Sequence, residues 1–125
     1  MNRTLRVGIA NYAEMKARTM AIARGELRSD GDSPKIWFTS MDSLARILSD
    51  SNRELLAIIR TQEPKSITEL ASLSGRARSN LSRTLRTMER YGLVALEKTD
   101  GRELLPSVPY DDVQLDLPIV PRLAA

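Results

Sequence analysis

The chain of 125 residues contains neither cysteine nor histidine. Without cysteine there can be no disulfide framework and no thiolate metal site. Without histidine the commonest metal ligand and the commonest general base are both missing. Metal-assisted, Ser-His and Cys-His chemistry are therefore excluded, and no catalytic residue, metal site or cofactor is expected. Long apolar runs are absent too. The longest, such as Leu55 to Ile59, fall far short of the ~18 residues a membrane span needs. The N-terminus lacks the uninterrupted apolar core of a signal peptide. A soluble, cytoplasmic protein with no membrane partner is expected. Internal repeats and low-complexity tracts are also lacking.

Charge of one sign does not dominate. Nineteen Lys and Arg against sixteen Asp and Glu leave a formal +3, and the sequence pI near 9.6 permits a nucleic-acid partner without requiring one. The length suits one compact domain with appendages.

Three segments differ in pattern. From Val7 to about Leu27, Ile9, Tyr12, Ala13, Ala17, Met20, Ala21 and Ile22 recur at roughly helical spacing. Arg6, Lys16, Arg18, Arg24 and Arg28 are interspersed, so the spacing predicts a basic amphipathic helix. Three roles fit such a helix: a dimer or partner contact, a clamp on DNA phosphates, or a membrane-surface helix. Its many alanines and few large aliphatics argue against deep lipid insertion and favour the protein contact. "SDGDSP", Ser29 to Pro34, collects turn formers and predicts a linker. The division expected is residues 1–34 as helix and linker, 35–106 as the main domain, and 107–125 as a C-terminal arm.

Within the main domain, a hydroxyl residue followed three places later by a carboxylate can satisfy free amides at a helix N-terminus. The pattern occurs as Thr39 with Asp42, Ser51 with Glu54, and Ser66 with Glu69. Each is followed by apolar residues, predicting three helices. A fourth begins near Ser79 and stops at Gly92, a residue suited to a left-handed cap. "LVALEK", "TDG" and "RELLPSV" then read as strand, hairpin turn and strand. The aromatic pair Trp37 and Phe38 is read as anchoring the first domain helix to the core, in preference to stacking on bases. In the tail, Val113, Leu115 and Leu117 alternate between prolines, as in an edge strand or an extended arm. Asp111, Asp112 and Asp116 read as a solvated acidic turn, or as an arm that covers a basic partner or the protein's own basic face.

The fourth helix carries the functional signal. At 100° per residue, Leu85 and Met88 lie within about 40° of Leu81, forming one apolar stripe. Arg83, Arg86, Arg90 and Ser79 cluster on the far side, with Asn80 and Thr87 on one flank and Ser82 on the other. Solvated helix faces usually mix signs, yet the only acid from Ser74 to Val94 is Glu89. Arginine can grip a guanine edge bidentately, asparagine an adenine, and serine a phosphate or base, so this face suits a major groove. Free amides near Ser79 to Leu81 favour a phosphate. A short capped helix, a turn holding Gly75 and this helix together make a helix-turn-helix. The hairpin beyond it brings Lys98 and Arg102 toward the same duplex.

"SITELASLSGRARSNLSRTLRTMERYGLVALEKTDGR" resembles the winged helix-turn-helix of MarR-like transcriptional regulators. The likeness is close in Glu69, Leu70, Ala71, Ser79, Ser82, Arg83 and "YGLV", and covers roughly Lys35 to Pro106. It implies a mainly α fold with a small β-hairpin, the winged helix-turn-helix, plus an N-terminal helix and an extended arm. It also implies a DNA-binding regulator, a repressor acting as a homodimer on double-stranded DNA. Ser79, Asn80, Ser82, Arg83 and Arg86 fall where members contact bases and phosphates, with Arg76 and Arg78 leading into the helix and Lys98 and Arg102 at the wing tip. MarR proteins add long flanking helices that enclose a small-molecule pocket. The short flanks here argue against ligand sensing. The chain also looks like a compact subgroup, some members of which act as antitoxins, so a toxin protein is the alternative partner.

Overall fold

The computed structural model describes residues 3–26, 34–101 and 103–120. The first element among the described residues is not a helix but a strand, β1 (Thr4–Ile9), followed by α1 (Tyr12–Ala23) and β2 (Ile36–Phe38). The helix expected from Val7 therefore starts five residues later. Leu5, Val7 and Ile9 alternate with Thr4, Arg6 and Gly8, and this period-two pattern puts Leu5 and Val7 in the core at 2% and 0% exposure. Asn11 stops the strand and starts the helix. Its side chain accepts from the Glu14 amide while the Glu14 carboxylate accepts from the Asn11 amide, a complete capping box. Of the expected linker only Pro34 lies within the described residues; Leu27 and Arg28 lie outside them too.

Four helices follow: α2 (Met41–Ile47), α3 (Asp50–Gln62), α4 (Ile67–Ser74) and α5 (Arg78–Arg90). Ser66 caps α4 as expected, accepting from the Glu69 amide at 3.0 Å. The other two caps are Ser40 and Ser49 rather than Thr39 and Ser51, each accepting from the amide three residues on. At the end of α3, Glu63 turns left-handed and Pro64 forbids another helical turn. Gly75 and Gly92, both with φ of +75°, end α4 and turn the chain out of α5. β3 (Ala95–Lys98) and β4 (Leu104–Ser107) form the expected antiparallel hairpin, with Lys98 opposite Leu104.

The tail contributes β5 (Asp112–Asp116), which pairs parallel with β1, while β2 pairs parallel on β1's other side. The sheet order is β2-β1-β5, with α1 as the β1–β2 crossover, so the tail is a strand of a sheet and not a free arm. Strand pairing thus crosses both expected boundaries, at 34/35 and at 106/107.

One buried cluster unites sheet and helices. It contains Leu5, Val7 and Phe38 from the sheet, Leu55 and Ile59 from α3, Leu70 from α4, and Leu81, Leu85 and Met88 from α5. Each such side chain contributes about 1.5–3 kcal/mol on burial. The aromatic pair splits by strand parity. Phe38 is fully buried and stacks on Tyr91 with ring centroids 4.5 Å apart, as expected of a core anchor. Trp37 points to the opposite face, lying over Gly8 and beneath the Arg18 guanidinium at 5.1 Å. No residue of α1 is buried, so this outer layer contributes little to the core. Among the described residues no helix is long and apolar enough to cross a membrane.

Candidate nucleic-acid interface

Packing fixes the orientation of α5. Leu81, Leu85 and Met88 are 0% exposed, which leaves the opposite side of the helix no choice but to face solvent. Ser79, Asn80, Arg83, Arg86 and Arg90 are exposed and Ser82 and Thr87 are half-buried on the flanks. Arg83, Arg86, Thr87, Glu89 and Arg90 line one shallow concavity. The Thr87 hydroxyl donates to the Arg83 carbonyl at 3.1 Å and accepts from the Arg90 guanidinium at 3.3 Å, which steadies that rim. Among the described residues, Arg83, Arg86 and Arg90 have no ion pair. Three arginines against the single carboxylate of Glu89 leave this rim positive.

The start of α5 differs from the other helix starts. Asn11, Ser40, Ser49 and Ser66 each cap their helix with a side-chain oxygen, whereas Ala77 has none to offer. The first turn of α5 also lacks an acid. Its free amides and the helix dipole thus present a positive end, flanked by Ser79 and Asn80.

The site residues expected from sequence divide into two groups. Ser79, Asn80, Ser82, Arg83 and Arg86 share the outward surface of α5. Arg76 is held elsewhere, its guanidinium donating to the Ser51 hydroxyl at 2.6 Å and to the Asn52 side-chain oxygen at 3.1 Å. Asn52 in turn donates to the Ile47 carbonyl at 3.0 Å, so Arg76 clasps the α4–α5 turn to the α2–α3 corner. Arg78 lies 3.7 Å from Glu103 at the base of the wing. Lys98 is exposed at the end of β3, near Glu97 and Asp100, and Arg102 lies outside the described residues.

Glu103 was not among the expected residues, yet it joins three elements. Its carboxylate accepts from the Thr68 hydroxyl at 3.0 Å and pairs with Arg78, while its carbonyl accepts from the Thr99 hydroxyl at 3.0 Å. Hydrogen bonding to Ser66, then to Thr68, with the Arg78 charge added, holds the carboxyl below the usual range. The hairpin, α4 and α5 are thereby registered with one another. No spacing in the sequence pairs residues 66, 68 and 78 with 103. Only the hairpin register does so.

A second concavity, an open groove of about 440 Å³, lies between α3 and the start of β5. Leu48, Leu56, Ala57, Val108, Tyr110 and Val113 give it an apolar lining. The carboxylate at its edge, Asp111, accepts from the Arg3 amide at 2.9 Å and pairs with Arg60, which also donates to the Val108 carbonyl at 3.0 Å. The Arg3 hydrogen bond, then Arg60, lowers the Asp111 pKa. Asp116 pairs with Arg6. Two of the three tail acids thus hold the sheet and its neighbours together.

The family profile described as HVO_A0114 matches residues 47–115, more than half of the chain, which therefore belongs to the HVO_A0114 family. The match runs from the end of α2 through the wing to β5. Among solved structures the chain is similar to one described as "Crystal structure of the predicted DNA-binding transcriptional regulator from E. coli". The two are 19% identical with a TM-score of 0.46, over 81% of this chain and 86% of that one. No curated protein matches the chain at a significant level.

Proposed function

We propose that this member of the HVO_A0114 family binds double-stranded DNA through α5 and regulates transcription, without a catalytic step of its own. The observation that carries the reading is the arginine-rich outer face of α5, on which Glu89 is the one acid. Three exposed arginines with no ion pair among the described residues stand on a helix whose other side is locked into the core. That geometry suits a major groove, with the uncapped helix start toward a phosphate and Lys98 of the wing toward the neighbouring backbone. Arg76 and Arg78 serve the scaffold that aims the helix.

The finer reading is a repressor working as a homodimer, because one module contacts few base pairs and two half-sites multiply specificity. It keeps the MarR-like resemblance for the helix-turn-helix and wing. A titration of the full chain against its own upstream DNA and a scrambled duplex, at two salt concentrations, tests it. Tight, salt-sensitive binding that prefers the native sequence is expected; equal, weak binding to both would sink the reading.

A second role, as an antitoxin that occludes a toxin protein, draws support from the apolar groove that Leu48, Leu56, Ala57, Val108 and Tyr110 line beside α3. Purification from native cells checks it. A stoichiometric small protein partner is expected, and its absence at native expression would remove this second role.

A further inference from the structure

β5 is an edge strand: β1 pairs with one side of it, and among the described residues no strand pairs with the other. Parallel sheets normally bury their faces and shield their edges with charge, bulges or a covering element. Here the inner face runs on past β1 unshielded. Leu5 is level with Val113 and Val7 with Leu115, so the face that buries Leu5 and Val7 continues as Val113, Leu115 and Leu117, which are 40%, 36% and 54% exposed. The apolar groove bordered by Leu48, Leu56, Ala57 and Tyr110 opens beside them. Pro109 and Pro118 bracket the strand and limit any pairing to the stretch between them.

The pattern of side chains makes this edge complementary to itself. In an antiparallel pair of two β5 strands centred on Leu115, Leu115 faces the partner's Leu115 and Val113 faces the partner's Leu117. On the other face Gln114 meets the partner's Asp116. Within one chain the Gln114 amide already donates to Asp116 at 3.2 Å, so the same donor and acceptor suit each other across the axis. Centring on Gln114 would instead set Asp112 against the partner's Asp116 twice, and like charges directly opposite are unfavourable. We infer that two copies of this chain associate edge to edge through β5, centred on Leu115, merging two three-stranded sheets into one of six strands. The inference deepens the dimeric part of the proposed function and rests on it only for its use; the surface itself is argued from β5.

The chain has no cysteine, so single cysteines report the axis directly. Residues directly opposed in an antiparallel pair have Cα atoms about 4.5–5.5 Å apart, within the ~4.4–6.8 Å a disulfide accepts. Leu115→Cys should form a disulfide-linked dimer on mild oxidation of the full-length protein. Val113→Cys and Leu117→Cys should not do so singly, since four residues at ~3.4 Å each separate the two copies. A mixture of those two variants should cross-link. In sedimentation without DNA, the wild-type chain should be dimeric at micromolar concentration and Leu115→Lys monomeric. A monomeric wild type would overturn the inference, including the case in which another protein covers the edge. Cross-linking at 113 or 117 alone that equals that at 115, or a Leu115→Lys variant that stays dimeric, would do so as well. Should Leu115→Lys not fold, the cysteine set decides. Failure of DNA binding leaves a β5 dimer intact, and a monomer that still prefers its own upstream DNA refutes the dimer alone.

Discussion

Arg83 and Arg76 lie seven residues apart, and the structure assigns them opposite consequences. Arg83 is exposed on a helix where arginine and alanine have similar propensity, and it has no ion pair among the described residues. Arg83→Ala should therefore change stability by no more than about 0.5 kcal/mol. Its effect on DNA depends on the contact. A base-edge contact predicts a loss of about 1–3 kcal/mol with relaxed preference at one operator position. A phosphate contact predicts a uniform loss and a salt slope smaller by about 0.9, roughly a 3.5-fold smaller change in affinity between about 50 and 200 mM salt. Arg76→Ala breaks two charge-assisted hydrogen bonds, at 2.6 and 3.1 Å, at a partly solvated corner. A cost of about 1–2 kcal/mol follows. For a chain of this length that corresponds to a melting point lower by roughly 4–8 °C. Thermal melts followed by circular dichroism and anisotropy titrations at two salt concentrations separate the two effects. The reasoning fails if Arg83→Ala lowers the melting point as far as Arg76→Ala, or leaves affinity, sequence preference and salt slope all unchanged.

Three further outcomes are expected. Gly75→Ala places a methyl in open space, so only the left-handed backbone opposes it, and denaturant titration should register a loss of about 1–2 kcal/mol; no loss would mean that the turn relaxes. Gly8→Val drives a Cβ to within 2.5 Å of the Trp37 ring, and overpacking of this kind costs about 1–3 kcal/mol. Because Trp37 is the single tryptophan, a shift in emission should accompany the loss, and unchanged emission and stability would contradict the close approach. Glu103 and Asp111 both have pKa values lowered in the folded chain, by hydrogen bonds from Ser66 and Thr68 and from Arg3 and Arg60. Their stabilising contribution is full above the ordinary carboxylate range and is lost as pH falls through that range toward the lower folded values. Melting points taken from about pH 6 down to about pH 3 should therefore fall less steeply for Glu103→Gln than for the wild type; parallel curves would refute the role given to Glu103.

Local chemistry made much of the helix-turn-helix and wing legible from sequence. Ser66 with Glu69, the Leu81-Leu85-Met88 stripe, Gly75, Gly92 and the "TDG" turn each act within a few residues, so their meaning does not depend on the rest of the chain. Where two frames of the same local pattern competed, the reading slipped. Thr39 and Ser51 have a carboxylate three places on, but Ser40 and Ser49 take the extended or near-extended backbone that a cap requires. At the N-terminus, apolar residues of a strand and of the next helix together imitated a single helical period.

By itself, then, the sequence determined the helix-turn-helix, the apolar stripe that turns α5 toward the core, and the arginine face that results. Only the tertiary structure decided the rest. Parallel pairing of β1 with β5 joins residues more than a hundred positions apart, and no local signal names the partner strand. Chain folding likewise divided the arginines. Arg83 and Arg76 are the same residue type in one segment, yet Ser51 and Asn52, brought in from α3, hold one, while the other is left to solvent. Helical period dictates which way a side chain points. What it meets there depends on elements distant in sequence.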